Sequence, residues 1–277
     1  MNDVSNSNSE VLHSLKNDLC VVKIGGNIID NEKLLLSFLQ KFTGIPGHKI
    51  LVHGGGKIAT SIGEKLNIES KYKDGRRITN DETIDLVTMV YGGLVNKKIV
   101  AILQSMGSNA IGLSGADGNV MPAVKRPVKD IDYGWVGDIT ADSIDPTAWD
   151  IFLTNDLVPV LAPLTHDGSG HLLNTNADTM AAVIAAGLSS IYSVKLIYCF
   201  EKNGVLDRVD DDDSVIRELD STTYHSLKNE NKLHSGILPK IDNAFYAVER
   251  GVPAVVIGNS SDLAELIVGS RGTKMLK

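Results

Sequence analysis

Short β-branched runs alternate with stretches of helical period along most of the chain. DLCVVKIGG (residues 18–26) predicts a strand that ends in glycines, and NEKLLLSFLQKF (31–42) spaces its apolar residues as one face of a helix. HKILVHGGG (48–56) predicts a second strand and KIATSIGEKLNI (57–68) the next helix. This alternation predicts βαβ units, an α/β fold with a mainly parallel central sheet and helices on both faces. KYKDGRRIT (71–79) reads as a hairpin turning at Asp74-Gly75. A long helical pattern follows over residues 80–107, with Thr79 or Asn80 as its N-cap and a bend expected at Gly92-Gly93. NAIGLS (109–114) is a strand, and the glycine-rich residues 115–140 predict an antiparallel excursion.

DPTAWDIFLTND (145–156) and LVPVLAPLT (157–165) resume the alternation as helix and strand. HLLNTNADTMAAVIAAGL (171–188) places Asn174 or Asn176 as the cap of an apolar helix. SSIYSVKLIYCFEKNGVL (189–206) reads as a strand and glycine turn, residues 221–233 and 236–251 as helices, and PAVVIGN (253–259) as the final strand. The change of character near Asp167 predicts two lobes sharing one sheet, residues 19–166 and 167–277, behind a flexible polar leader at 1–18.

Of the 277 residues, 43% are hydrophobic and 22% charged, which suits a globular domain with a substantial core. A net charge of −7 argues against a nucleic-acid partner, which would ask for a basic excess. No unbroken apolar run has the length of a bilayer span, and the polar first residues lack the apolar centre of a signal peptide. Cys20 and Cys199 lie in apolar strands without zinc spacing, so two buried free thiols and a cytoplasmic location are expected. The acidic run Asp210–Asp213 lacks the spacing of a calcium loop and reads as a solvated loop.

VHGGGKIATSIG (52–63) looks at first like a phosphate-binding P-loop, yet Lys57 is followed by Ile58 and Leu51 stands where that motif needs glycine. What remains is an anion-accessible backbone between a strand and a helix. Parallel sheets bind ligands beyond the carboxyl ends of their strands, so Lys23, Gly25 and Gly26 share an edge with His53–Lys57. Lys23, inside a strand, either meets an anion or faces water from an edge strand. Asp178 either compensates the dipole of its helix or serves a site. Lys240 follows Pro239 at a helix start, where a cation asks for an anion. Arg77 fits a bidentate carboxylate clamp or an exposed hairpin position, and His53 a base or a structural histidine.

Lys23 with its glycines, HGGG, DGRR, NTNAD and SGILPK occur in this order over residues 19–277, and the ordered set resembles the amino-acid kinase family. Within that family it is similar to the members that phosphorylate an N-acyl-L-glutamate. The resemblance implies an open αβα sandwich, with the acyl-amino-acid site and dimer contact on the first lobe and ATP on the second. It implies transfer of the γ-phosphoryl group of ATP to the γ-carboxylate of N-acetyl-L-glutamate, or of a relative such as N-succinyl-L-glutamate, in arginine biosynthesis. Lys23 and Lys240 would stabilise the transferring group, Asp178 would orient both lysines, and Gly26 and Gly55 would offer N–H groups to it. Gly54, Gly55, Arg77 and Asn174 would line the acyl-glutamate pocket, while Lys23, Gly25, Gly204 and Lys240 would face the nucleotide. Magnesium would ride on the ATP phosphates, with no protein metal ligands. Many members carry a T-D-x-x-G turn where this chain has CFEKNG, with Glu201, Lys202 and Asn203 before Gly204. The short leader points to a homodimer without arginine feedback, its contact on residues 80–106. Carbamate- or aspartate-kinase chemistry, and an inactive amino-acid or nucleotide sensor, are the competing readings.

Overall fold

The computed structural model describes residues 18–277 apart from Asp74, Val209 and Ser235; the leader before Asp18 and the first residue of the expected 74–75 turn lie outside the described residues. The strands in chain order are β1 (Asp18–Ile24), β2 (His48–His53), β3 (Tyr72–Lys73), β4 (Arg76–Arg77), β5 (Ala110–Leu113), β6 (Val124–Lys125) and β7 (Gly137–Asp138). They continue with β8 (Val158–Leu161), β9 (Leu164–His166), β10 (Leu172–Asn174), β11 (Ser193–Phe200), β12 (Glu218–Leu219), β13 (Ala254–Asn259) and β14 (Thr273–Met275). Eight of them form one sheet in the order β12-β14-β13-β11-β1-β2-β8-β5. Every pairing is parallel except β13 with β14.

β1 is the central strand between β2 and β11, with Ile24 in register with both His53 and Cys199. Its alternation sorts the two cores. Leu19 and Val21 join the cluster under the helices Pro146–Leu153, Ala177–Leu188 and Leu238–Glu249, while Cys20, Val22 and Ile24 join the cluster under Glu32–Thr43 and Leu263–Val268. Helices therefore cover both faces, as an αβα sandwich requires. Lys23 has the parity of Leu19 and Val21, so the pleat turns it toward the helix Ala177–Leu188. This removes the edge-strand reading of that lysine. Cys20 and Cys199 are buried free thiols.

The three small antiparallel ribbons, β3–β4, β6–β7 and β9–β10, are separate from the main sheet, and single bridges such as Val136–Asn174 and Pro122–His166 tie these segments together. The first two are the expected hairpin and excursion, and Gly75 takes the left-handed φ of 72° that such a turn needs. Residue 167 falls in the turn between β9 and β10. Asn80 and Asn176 cap their helices through their side chains; Thr79 and Asn174, the other candidates, do not.

One expectation is corrected. PAVVIGN is not the last strand: a helix Leu263–Val268 turns the chain back and β14 pairs antiparallel with β13. The helix over Asp81–Ser105 is continuous through Gly92-Gly93, where the bend was expected, and widens there into a π-helical stretch at Thr88–Val95 that contains both glycines. By length and composition this 25-residue helix passes for a membrane span, which its interspersed polar residues hide in the sequence. Its residues Leu86, Val90, Val95, Ile99 and Leu103 are packed in the core beside the sheet.

Candidate active site

At the carboxyl end of β1 three charges meet. Lys23 Nζ lies 2.6 Å from Asp178 Oδ1, and Lys240 Nζ lies 3.5 Å from Asp178 Oδ2. Lys23 rises from the sheet, Asp178 occupies the first turn of Ala177–Leu188, and Lys240 the first turn of Leu238–Glu249 beside Pro239. Burial alone would raise the Asp178 carboxyl, but the two ammonium groups overcome it and hold that carboxyl below the usual carboxylate range. Two cations share one anion, so the cluster carries a net positive charge in a largely dry setting. Beneath it the Tyr198 hydroxyl donates to the Asp178 carbonyl at 2.8 Å, anchoring the start of the helix.

The glycine turns after β1 and β2 touch one another. The Gly54 N–H donates to the Ile24 carbonyl at 3.2 Å, and a Cβ on Gly54 would lie 4.0 Å from the Gly26 nitrogen. Gly25 sits against the Lys23 ammonium, where a Cβ would come within 4.0 Å of Nζ. At Gly55 a Cβ would stand 2.9 Å from the Tyr91 ring, so the π-helical stretch that carries Tyr91 leaves room there only for glycine.

A cavity of about 370 Å³ opens on one side of this centre, lined by Gly54, Gly55, Arg77, Asn174 and Thr179 among others. Arg77 is buried, donates to the Gly56 carbonyl and Thr60 Oγ1 at 2.9 Å each, and lies 4.8 Å over the Tyr72 ring. Among the described residues it has no carboxylate partner, so it is a positive group held ready for an anion. Asn174 Nδ2 donates to Thr79 Oγ1 at 3.0 Å, which ties β10 to the β4 end of the cavity.

A second cavity, about 360 Å³, lies on the other side of Lys240. Its walls are Val205, Leu206, Leu233 and Ile237, with Gly204, Glu201 and Lys202 at the rim. Gly204 is fixed by crowding, since a Cβ would meet Thr273 Oγ1 and Val215 at 2.7 Å. The unusual CFEKNG turn is thus built into this wall, with Lys202 bonded to Asp212 at 2.8 Å and Asn203 to Asn259 at 3.2 Å. Lys240 is the one residue of the charged cluster that also lines this cavity.

Of the residues expected at a site, Gly54, Gly55, Arg77 and Asn174 line the first cavity and Gly204 and Lys240 the second, while Lys23, Asp178, Gly25 and Gly26 line neither and meet at the strand ends through the contacts above; Lys57 also lines neither, its ammonium donating to Asn27. Sequence reasoning missed Tyr72, Tyr91 and the Arg126–Asp138 ion pair, which complete the first cavity. The alternation in KRPVKDIDYGWVGD carries a trace of the last pair, because β6 and β7 set Lys125 opposite Gly137 and so bring the neighbouring arginine and aspartate together. Leu233 and His234 of the second cavity carry no such signal.

A protein-family model, the amino acid kinase family, matches residues 18–259. The chain is 50% identical over 263 residues to an acetylglutamate kinase of Bacteroides thetaiotaomicron, covering 95% of this chain and all of the relative. It is 51% identical over 261 residues to an acetylglutamate kinase of Cytophaga hutchinsonii, covering 93% and 98%. Among solved structures, smu.665 from Streptococcus mutans superposes with a TM-score of 0.76 at 28% identity, covering 93% of this chain and 98% of that one. The matched span takes in the central strand, both glycine turns and all three charged residues at its edge, and the chain belongs to the amino acid kinase family.

Proposed function

We propose that this chain is an acetylglutamate kinase, transferring the γ-phosphoryl group of ATP to the γ-carboxylate of N-acetyl-L-glutamate in arginine biosynthesis. The observation that carries the reading is the Lys23–Asp178–Lys240 cluster set between two cavities, one with a buried unpaired arginine and one with apolar walls. Full-length relatives at about half identity support the choice of acceptor over carbamate or aspartate.

Phosphoryl transfer to a carboxylate needs alignment and charge neutralisation rather than a general base, because the nucleophile is already ionised at neutral pH. Lys23 and Lys240 approach the transferring group from the acceptor and donor sides. Asp178 keeps them apart from each other and in place, and its depressed pKa keeps it ionised while it does so. Gly26 and Gly55 offer N–H groups to the phosphoryl oxygens. Arg77 takes the α-carboxylate of the acyl-glutamate, with Asn174 and Gly54 beside it. Gly25, Gly204 and Lys240 face the nucleotide, whose base fits the apolar slot of Val205, Leu206 and Ile237. Among the described residues no group of three metal-ligating side chains stands at the site, and Asp178 is already engaged by two lysines. Magnesium arrives as part of its ATP substrate, on the phosphates.

In this reading residues 19–166 mainly serve the acceptor, with Asn174 reaching in from the second lobe, and residues 167–277 mainly serve the nucleotide, with Gly25 facing it from the first. We place the enzyme in the cytoplasm, acting as a homodimer on small molecules. A steady-state panel with ATP and acetylglutamate, succinylglutamate, glutamate, aspartate or carbamate tests the assignment. Turnover of acetylglutamate, with unacylated acceptors at background, is expected. Turnover of unacylated acceptors alone would overturn it, and a higher kcat/KM for succinylglutamate would reassign the acyl group.

A further inference from the structure

His53 ends β2 in complete burial, directly before the glycine turn, and neither its charge nor its nucleophilicity has a use there. Its ring is nonetheless held at both nitrogens. Nδ1 lies 2.7 Å from the Gly54 carbonyl and therefore donates to it, which leaves Nε2 to accept from Asn96 Nδ2 at 3.1 Å. Asn96 is itself fixed: Nδ2 also donates to the Val160 carbonyl at 2.8 Å, and Oδ1 accepts from Lys97 at 3.2 Å. The arrangement has its own space in the sequence, since a Cβ on Gly112 would fall 2.0 Å from Asn96 Oδ1.

We propose that His53, locked by Asn96, is a positioning residue that aims the Gly55 N–H at the phosphoryl group in flight. In a trans peptide the carbonyl of one residue and the N–H of the next point in opposite directions. No described peptide bond is cis, so pulling the Gly54 carbonyl inward onto His53 turns the Gly55 N–H outward, toward the cavity that Gly54 and Gly55 line. The following peptide is held in the same manner, because the Gly55 carbonyl accepts from the Ala59 N–H at 2.9 Å. The backbone N–H groups of Gly55 and Gly56 have no backbone acceptor among the described residues. Preorganised donors of this kind act on the transition state and leave ground-state binding nearly unchanged. A neutral imidazole suits this role. Its single N–H is committed to the turn, and burial keeps the second proton off, with the pKa pushed down to about 4. Gly55 is the donor in the proposed mechanism, and His53 is the side chain that orients it.

The inference rests on the phosphoryl-transfer reading, and two substitutions separate them. His53→Asn places an amide N–H near the Nδ1 position and can still reach the Gly54 carbonyl. His53→Gln carries its amide to the Nε2 position, keeping the link to Asn96 and losing the one to the turn. Wild type, His53→Asn and His53→Gln are assayed for kcat, for KM of acetylglutamate and of ATP, and for thermal midpoint. The glutamine variant is expected to lose about tenfold to a hundredfold in kcat, with both KM values within about threefold, and the asparagine variant to recover most of kcat at a similar midpoint. Equal kcat in all three proteins would overturn the role of His53, as would parallel losses in both variants that track their midpoints. A wild type inactive on acetylglutamate would instead refute the proposed activity itself.

Discussion

Lys23 and Lys240 look interchangeable by charge, but their surroundings differ. Lys23 is nearly enclosed, with its side chain 8% exposed, whereas Lys240 is 20% exposed and borders the second cavity. Lys23→Ala leaves Asp178 with the longer contact alone, and Lys240→Ala removes the cation on the donor side. Either change is expected to lower kcat by about 10²–10³-fold with a modest effect on KM, read from steady-state kinetics. Full kcat in Lys240→Ala would remove the basis of the mechanism. Arg77→Ala should behave in the opposite manner, raising KM for the acyl-amino acid, because its guanidinium meets a group that does not react. The two lysines were legible in the sequence as misplaced charges, one inside an apolar strand and the other at a helix start, whereas Asp178, well placed for its helix dipole, stood out only through the ordered set of motifs. Tyr91 was not legible, and Arg126 left only the trace of an alternation. The place of Tyr91 follows from a π-helical widening, which leaves no period in the sequence, and that of Arg126 from a ribbon only two residues long.

At the scale of elements, the helix Asp81–Ser105 serves two surfaces. Its inner side buries Leu86, Val90, Ile99 and Leu103 and brings Tyr91 against Gly55. On the outer side Met89 and Leu94 are 56% and 51% exposed, both within the π-helical stretch. Two apolar side chains that close together suit a contact with a second copy. Leu94→Glu is therefore expected to shift the mass measured by sedimentation from twice the 29.7 kDa chain toward the single chain. A wild type that already sediments as a single chain would refute the homodimer. The strand–helix alternation was readable almost throughout, because each element has its own period. The closing strand β14 escaped, being three residues long and defined by its partner rather than by its composition.

For the whole molecule, the buried histidine makes stability depend on pH. In the unfolded chain His53 takes a proton near its ordinary value of 6.5, while in the fold burial delays this to about 4. Between those values the unfolded state binds more protons, so stability is full above about pH 6.5 and falls as pH drops toward 4. The loss attributable to this group is about 3 kcal/mol. Urea denaturation across that range should show it, and His53→Asn should flatten the slope; an unchanged slope would mean that another group controls it. Asp178 acts in a lower window. Its carboxyl is depressed in the fold, so its contribution is present above the ordinary carboxylate range and is lost only as pH falls through the folded value.

The buried thiols have a practical consequence. Cys20 and Cys199 are the chain's only cysteines, and they lie in neighbouring central strands. Burial drives the Cys20 thiol up to about 12 and that of Cys199 higher still, so neither presents a thiolate to solvent near neutrality. Maleimide chemistry on the native protein then finds no target. A single cysteine introduced at the exposed Ile151, on a different helix from Met89 and Leu94, would carry a fluorophore or spin label alone, turning this kinase into a ready-made ruler for the distance between two copies.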